Sequence, residues 1–274
     1  MQYALINGVK SEAVAGADAT CLDCGRKTVA KCGPIVMHHW AHAGRNCDSW
    51  WENETQWHRD WKNLFPPECR EISHTAPSGE IHRADIKAPG GIYVEIQHSA
   101  MTQAERDSRE QFYDNMIWIV DGTPFSSRFH LHHSLPDPSL DWAQDCAWFP
   151  ARNPLQGAPF PEGMYQKRSL IAEDRARGAA TGMHLMFFQR DEEQKFREAY
   201  TGHHQYLWKR PHSTWIEARK PVYLDFGSDI LFRLETYPIG NLPSVRVITK
   251  RQLIHDLHEQ NYAELVCLSP YDKN

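Results

Sequence analysis

Apolar and polar side chains alternate over Ile81-His82-Arg83-Ala84-Asp85-Ile86-Lys87 and again over Ile92-Tyr93-Val94-Glu95-Ile96-Gln97. This predicts two strands, because successive strand side chains point to opposite faces. Arg83, Asp85 and Lys87 then share one face, as do Tyr93, Glu95 and Gln97, while Ile92, Val94 and Ile96 suit a core. Pro89-Gly90-Gly91 separates the runs. Such residues pre-set turn dihedrals, so a hairpin that brings Asp85 near Glu95 is expected. Upstream, a helix is expected near 48–64, because Trp50, Glu54, Trp57, His58 and Trp61 recur at helical spacing on one face. An alternation around 69–74 predicts a further strand. Thr102, with Glu105 three residues on, is a capping-box start for a polar helix to about Asn115. The run Met116 to Val120 reads as a buried strand.

Beyond Val120 the pattern loosens. Residues 121–168, with His130-Leu131-His132-His133 and Pro136-Asp137-Pro138, read as an irregular connector. A helix follows from about 170 to 200, interrupted near Gly178 and Gly182. Tyr206 to Trp215 interleaves aromatics with Lys209 and Arg210. That composition can track a phosphate backbone while stacking on bases, but large aromatics are mostly buried, which favours Trp208 and Trp215 as core anchors of a small β module. Val222–Leu224 and Ile230–Phe232, joined by a turn at Gly227-Ser228, read as strands, with Val245–Ile248 as a third. Thr249 then caps a helix carrying Leu253, Ile254 and Leu257 on one face. No catalytic constellation stands out here, so this part is expected to select substrate or a protein partner.

Asp85 and Glu95 carry the chemistry. Two carboxylates on one side of a hairpin repel unless a cation lies between them. Mg²⁺ or Mn²⁺ takes few carboxylates and keeps several waters, which leaves room for phosphate oxygens and an attacking water. Each carboxylate alone also fits the wet face of a strand. The pair, with Gln97 two residues on and apolar positions between, points to a nuclease centre.

A second metal is expected near the N-terminus. Cys21-Leu22-Asp23-Cys24 is followed by His39-Trp40-Ala41-His42. Two thiolates and two imidazoles at these spacings fit tetrahedral, structural Zn²⁺ stapling a small module. Cys32, His38 and Cys47 are alternative ligands among which the sequence does not choose, and buried thiols with core histidines are the plainer reading.

The ordered set Glu54-Thr55-Gln56-Trp57-His58-Arg59-Asp60-Trp61-Lys62, His82-Arg83-Ala84-Asp85-Ile86, Glu95-Ile96-Gln97-His98-Ser99, Arg109-Glu110-Gln111-Phe112-Tyr113 and Ile117-Trp118-Ile119-Val120 resembles the competence protein CoiA family, itself similar to the PD-(D/E)XK nuclease superfamily. His39-Trp40-Ala41-His42 resembles that family's His-Phe-Ala-His signature, with Trp for Phe. The resemblance covers roughly the first half of the chain and implies an α/β fold with an αβββαβ core. It implies Asp85 and Glu95 as Mg²⁺ or Mn²⁺ ligands, Glu54 completing the centre, and His58 as a further catalytic residue. Gln97 stands where most of the superfamily has lysine, and glutamine can only orient a water or phosphate by hydrogen bonds. Lys62, Arg83, Lys87 and Arg109 are the candidates for contact with DNA, and His98 is secondary. Arg106 reads as a wet-face residue, whereas for Arg109 and Tyr113 the wet face and a DNA contact stay equally open. The expected organisation is a zinc-binding module over 1–47, a PD-(D/E)XK nuclease-like core over 48–122, the connector over 123–168 and a C-terminal α+β module over 169–274.

Composition narrows the picture further. Seven cysteines, odd in number and partly clustered, argue against a secreted disulfide framework. No N-terminal apolar region and no run long enough to cross a bilayer is present, so a soluble cytoplasmic protein without membrane association is expected. A net charge of −5 requires any DNA-binding surface to be local. Two function classes stay open: a metal-dependent DNA nuclease acting in DNA uptake or phage defence, and a nucleic-acid-binding protein on a degenerate nuclease fold, for which Gln97 speaks.

Overall fold

The computed structural model describes residues 1–35, 37–44, 47–48, 50, 54–150, 162–178, 185–259 and 262–267. It is mixed α/β with a large mixed sheet, and the chain divides into two compact units, one of Met1–Ile119 with Ile254–Val266, the other of Val120–Leu253 with the remaining C-terminal residues. The first unit joins the N-terminal module to the strands that carry Asp85 and Glu95.

In the first unit, β1 (Tyr3–Ile6), β2 (Val9–Glu12), β3 (Ala19–Thr20), β4 (Lys27–Lys31) and β5 (His39–His42) form an antiparallel sheet in the order β2-β1-β3-β4-β5. Asn7-Gly8 joins β1 to β2 with φ of 49° and 82°, the paired positive values that a two-residue hairpin turn needs. Trp40 is fully buried against Met1, Ala4, Ala19 and Cys21, and its indole N–H donates to Ser11 O at 3.0 Å. Removing an indole from water stabilises by roughly 4 to 6 kcal/mol as an upper bound, which is much of what holds so small a module.

The helix α1 covers Gln56–Asn63, shorter than expected. Thr55 has extended backbone, and its hydroxyl accepts the His58 N–H at 3.2 Å, so the chain before it cannot continue the helix. Glu54 therefore precedes the helix and Trp50 lies in a turn. Of the expected helix near 48–64, residues 49 and 51–53 fall outside the described residues.

Then come β6 (Arg70–Thr75), β7 (Ile81–Lys87), β8 (Tyr93–Gln97), α2 (Gln103–Phe112) and β9 (Met116–Asp121), with the strands side by side in the order β9-β8-β7-β6. Both β6–β7 and β7–β8 are antiparallel. The expected hairpin is present: Ile86 pairs with Val94 and Lys87 with Tyr93 across a turn in which Gly91 has φ +80°. Its faces alternate as the sequence pattern requires, since Ala84, Ile86, Val94 and Ile96 are buried in the core. Thr102 caps α2 by accepting the Glu105 N–H at 3.2 Å. Residues 254–266 return to this unit, where Leu257 O accepts the Gly90 N–H and the His258 ring stacks on Phe65.

The second unit holds β10 (Phe129–Pro136), α3 (Asp141–Gln144), β11 (Cys146–Trp148), β12 (Met164–Lys167), α4 (Arg168–Ala176), β13 (Phe187–Phe188), α5 (Glu193–Glu198), β14 (Tyr200–Trp208), α6 (Ser213–Ile216), β15 (Val222–Asp225), β16 (Ile230–Tyr237) and β17 (Leu242–Thr249). Five of its strands are antiparallel in the order β10-β14-β17-β16-β15, and β11-β12-β13 form a separate sheet over a core of Leu135, Trp148, Tyr165, Phe196 and Tyr237. The segment expected to be an irregular connector thus contains strands. Its polar run is β10, an edge strand exposed at His130 and Leu131 and half-buried from His132 to Ser134, whose pairing with β14 shifts register twice. Edge strands need no apolar alternation, so the pattern gave no sign of one. The helix expected from 170 to 200 breaks into α4 and α5, with Gly178 at φ +72° ending the first. Trp208 and Trp215 are buried, the former stacked on Phe125, which corrects the stacking-platform alternative. No helix among the described residues is long and apolar enough to cross a membrane.

Candidate functional site

Cys21, Cys24, His42 and Cys47 bring one donor atom each into a group whose atoms all lie within 4.8 Å of one another. Tetrahedral zinc with Zn–S of about 2.3 Å and Zn–N of about 2.0–2.1 Å sets edges of about 3.8 Å between sulfurs and about 3.5 Å between sulfur and nitrogen. The observed separations are 3.7 Å for Cys21 Sγ to Cys47 Sγ, and 3.4 Å from His42 Nε2 to both Cys24 Sγ and Cys47 Sγ. The donors fit a metal ion such as zinc. Three thiolates over-neutralise a dication, and two arginines answer the excess: Arg26 Nε donates to Cys24 Sγ at 3.3 Å and Arg83 Nη2 to Cys21 Sγ at 3.6 Å. Burial raises the thiols of Cys24 and Cys47, but the Arg26 hydrogen bonds, with His42 and Cys21, bring Cys24 down to about 6. Cys47 is pushed up to about 12 by burial and its thiol neighbours. A bound cation would remove that conflict.

The group keeps Cys21, Cys24 and His42 of the expected set but takes Cys47 in place of His39. The reason is strand geometry. His39 and His42 both lie in β5, and an odd separation puts them on opposite faces. His39 Nδ1 instead meets Met37 O at 2.8 Å. Cys32 contacts Ala13 O.

His42 and Cys47 also line a cavity of about 80 Å³ whose other walls include Asp48, Glu54, His58, Glu71, Arg83, Asp85, Glu95, Gln97 and Arg109. Carried one pair beyond Ile86–Val94, the β7–β8 register sets Asp85 against Glu95. Asp85 Oδ2 accepts the Ile96 N–H at 2.9 Å, while Oδ1 lies 2.8 Å from His58 Nε2, off the hydrogen-bond axis. Glu95 Oε2 takes Arg109 Nη1 at 3.0 Å, whereas its Oε1 is buried without a partner among the described residues. Burial and the Asp85 charge raise Glu95 to about 8 against the pull of Arg109. Burial also works against an ionised Asp85, but His58 and Lys62 hold it below the ordinary carboxylate range. An orphaned carboxylate oxygen, facing a second carboxylate that stays ionised, suits a hard cation.

Most of the expected DNA contacts are engaged elsewhere. Lys62 is fully buried between Glu54 and Glu71, with Nζ 3.1 Å from Glu71 Oε1, and the two carboxylates hold its ammonium well above the usual range despite burial. Arg83 pairs with Asp23 and lies 3.7 Å from Glu71 Oε2. Arg109 is buried on Glu95, Glu105 and Trp50 O. Arg106 is buried as well, paired with Asp107, so the wet-face reading is corrected, and Tyr113 is buried and reaches no surface. These cations serve the carboxylates of the site because a buried charge is tolerated only when paired. Of the four, Lys87 alone is exposed, over the Tyr93 ring. Glu54 lines the cavity while holding Arg59 and Lys62. Gln97 lines it too, with Nε2 donating to Ser99 Oγ at 2.9 Å.

Sequence reasoning missed Glu71 and Asp48. Glu71 is buried at φ +46°, a left-handed conformation that costs an L-residue about 1 to 2 kcal/mol. Four donors offset the cost: the N–H groups of Gln2 and Tyr3, at 2.7 and 3.1 Å, together with Lys62 and Arg83. Nothing in the local pattern separated it from a wet strand residue. Asp48 had one signal, its place directly after a candidate ligand, Cys47. Compared with protein families, curated proteins and solved structures, the chain matches none.

Proposed function

We propose that this protein is a divalent-metal-dependent deoxyribonuclease that hydrolyses phosphodiester bonds, CoiA-like in its centre and working in DNA uptake and recombination or in phage defence. The observation that carries the reading is the facing pair of half-buried Asp85 and buried Glu95 on the wall of one cavity, with an oxygen of Glu95 left without a partner among the described residues. The succession α1-β6-β7-β8-α2-β9 supports it, being the element order of an αβββαβ nuclease core. Asp85 and Glu95 would hold Mg²⁺ or Mn²⁺, which when bound polarises a phosphodiester oxygen and makes a water acidic enough to attack. His58, already against Asp85, is placed to take a proton from that water. Gln97 orients the water or a phosphate oxygen from the same strand as Glu95. Lys62 adds to His58 in keeping Asp85 ionised and, fully buried beside Glu54 and Glu71, does not touch substrate. Cys21, Cys24, His42 and Cys47 would hold structural Zn²⁺, with four protein ligands and no open position.

The test is plasmid and single-strand cleavage with Mg²⁺ or Mn²⁺. Asp85→Ala and Glu95→Ala should each abolish it while circular dichroism stays native, and full activity in either variant would sink the reading. Elemental analysis should find about one zinc per chain, as a four-ligand site requires. Gln97 in the usual lysine position favours a second reading, a nuclease fold that binds nucleic acid without cutting it. Wild-type DNA binding with no cleavage under any divalent cation would establish that alternative.

A further inference from the structure

His42 and Cys47 of the Cys/His group line the same cavity as the carboxylate pair, and Asp48, which follows Cys47 directly in the chain, lines it too. Its carboxylate holds three groups. Oδ1 accepts the Trp50 N–H at 2.9 Å and lies 2.9 Å from His82 Nδ1, and Oδ2 accepts the Arg83 N–H at 3.1 Å. Trp50 carries the grip onward: its carbonyl accepts Arg109 Nη2 at 3.1 Å and its ring faces the Arg109 guanidinium at 5.5 Å. The His82 ring lies flat on the Trp50 indole, 3.3 Å between centroids and 8° from parallel. Arg109 Nη1 then donates to Glu95 Oε2 at 3.0 Å, leaving Oε1 without a hydrogen-bond partner among the described residues. Every link from Cys47 to Glu95 is thus a covalent step or a hydrogen bond between buried or half-buried groups.

We propose that Asp48 is a positioning residue: with Cys47 held in a metal-loaded Cys/His group, it fixes Trp50 and, through Arg109, aims Glu95 at its own cation, so that the two metal sites bind cooperatively. The inference rests on the reading of Asp85 and Glu95 as a cation site. Residues that orient a ligand through a hydrogen bond change metal affinity by about 10- to 100-fold when removed. Binding linkage is also reciprocal, so each metal must strengthen the other by one factor.

The experiment loads the Cys/His group with Co²⁺, whose thiolate absorption bands report that site, and titrates Mn²⁺, which prefers oxygen donors, by electron paramagnetic resonance of the free ion. Asp48→Ala should keep about one Co²⁺ with unchanged bands, as the four-ligand site requires, yet bind Mn²⁺ about tenfold or more weakly. In the wild type, Mn²⁺ should also tighten Co²⁺ against a competing chelator, and in Asp48→Ala this gain should vanish. If Asp48→Ala loses the Co²⁺ bands altogether, the isosteric Asp48→Asn, which removes one acceptor, decides with the same readouts. Wild-type Mn²⁺ affinity in a Co²⁺-loaded variant overturns the positioning role alone. No Mn²⁺ bound by the wild type overturns both this role and the carboxylate reading beneath it.

Discussion

Gln97 shows how much one side chain decides. It is buried and bonded to Ser99, so its amide is held rather than mobile beside Glu95. On the proposed nuclease reading, Gln97→Ala should slow cleavage by about 10² to 10³, the usual cost of one positioned polar donor, with Mn²⁺ affinity little changed. Gln97→Lys should keep activity, because an ammonium can act on the same phosphate. Parallel rate and binding measurements check both outcomes. His133 offers a test away from the site. Its Nδ1 accepts the Gly163 N–H, and burial, then the neighbouring His132 and His204, lower its pKa to about 4. The unfolded chain therefore binds a proton that the folded chain refuses between about pH 6.5 and 4. Stability is full above that window and falls by about 3 kcal/mol across it as pH drops. Urea unfolding against pH should show the slope in the wild type and lose it in His133→Asn.

At the level of elements, the strand pair β7 and β8 was legible from residue pattern alone. Ala84, Ile86, Val94 and Ile96 take one face in the core while Asp85 and Glu95 take the other, and Gly91 supplies the positive φ of the turn between the strands. The start of α1 was not legible. Trp50 and Glu54 sit at helical spacing from Trp57 and His58, yet both reach the cavity from the chain before the helix. Periodicity records which side chains share a destination, whatever backbone brings them there. Thr55 marks the true boundary, so Thr55→Ala should cost about 1 kcal/mol in chemical denaturation and loosen Glu54 ahead of it. The candidate metal ligands divide in the same way. Cys21 and Cys24 were readable from their spacing, but the choice of Cys47 over His39 depended on β5 being extended.

Over the whole molecule, the cations tell which surface the proposed nuclease would have for nucleic acid. Arg83 and Arg109 are tied to carboxylates, so Arg83→Ala or Arg109→Ala should destabilise by about 3 to 5 kcal/mol instead of merely weakening DNA binding. Lys87 is exposed, and Lys87→Ala should leave stability unchanged while lowering the salt slope of DNA binding by about 0.9, one phosphate contact. Fluorescence anisotropy over a salt series measures it. The edge strand β10 bears on a different property, behaviour at high concentration. An open strand edge is a template on which a second molecule can add its own strand and seed aggregates. Here the edge carries His130, His132 and His133 and is broken by register shifts at Leu131–Ser134 and Ser134–Pro136. A bent edge ending in proline offers no continuous row of hydrogen-bonding groups. The same polar run that hid the strand from view thus guards the edge against strand addition.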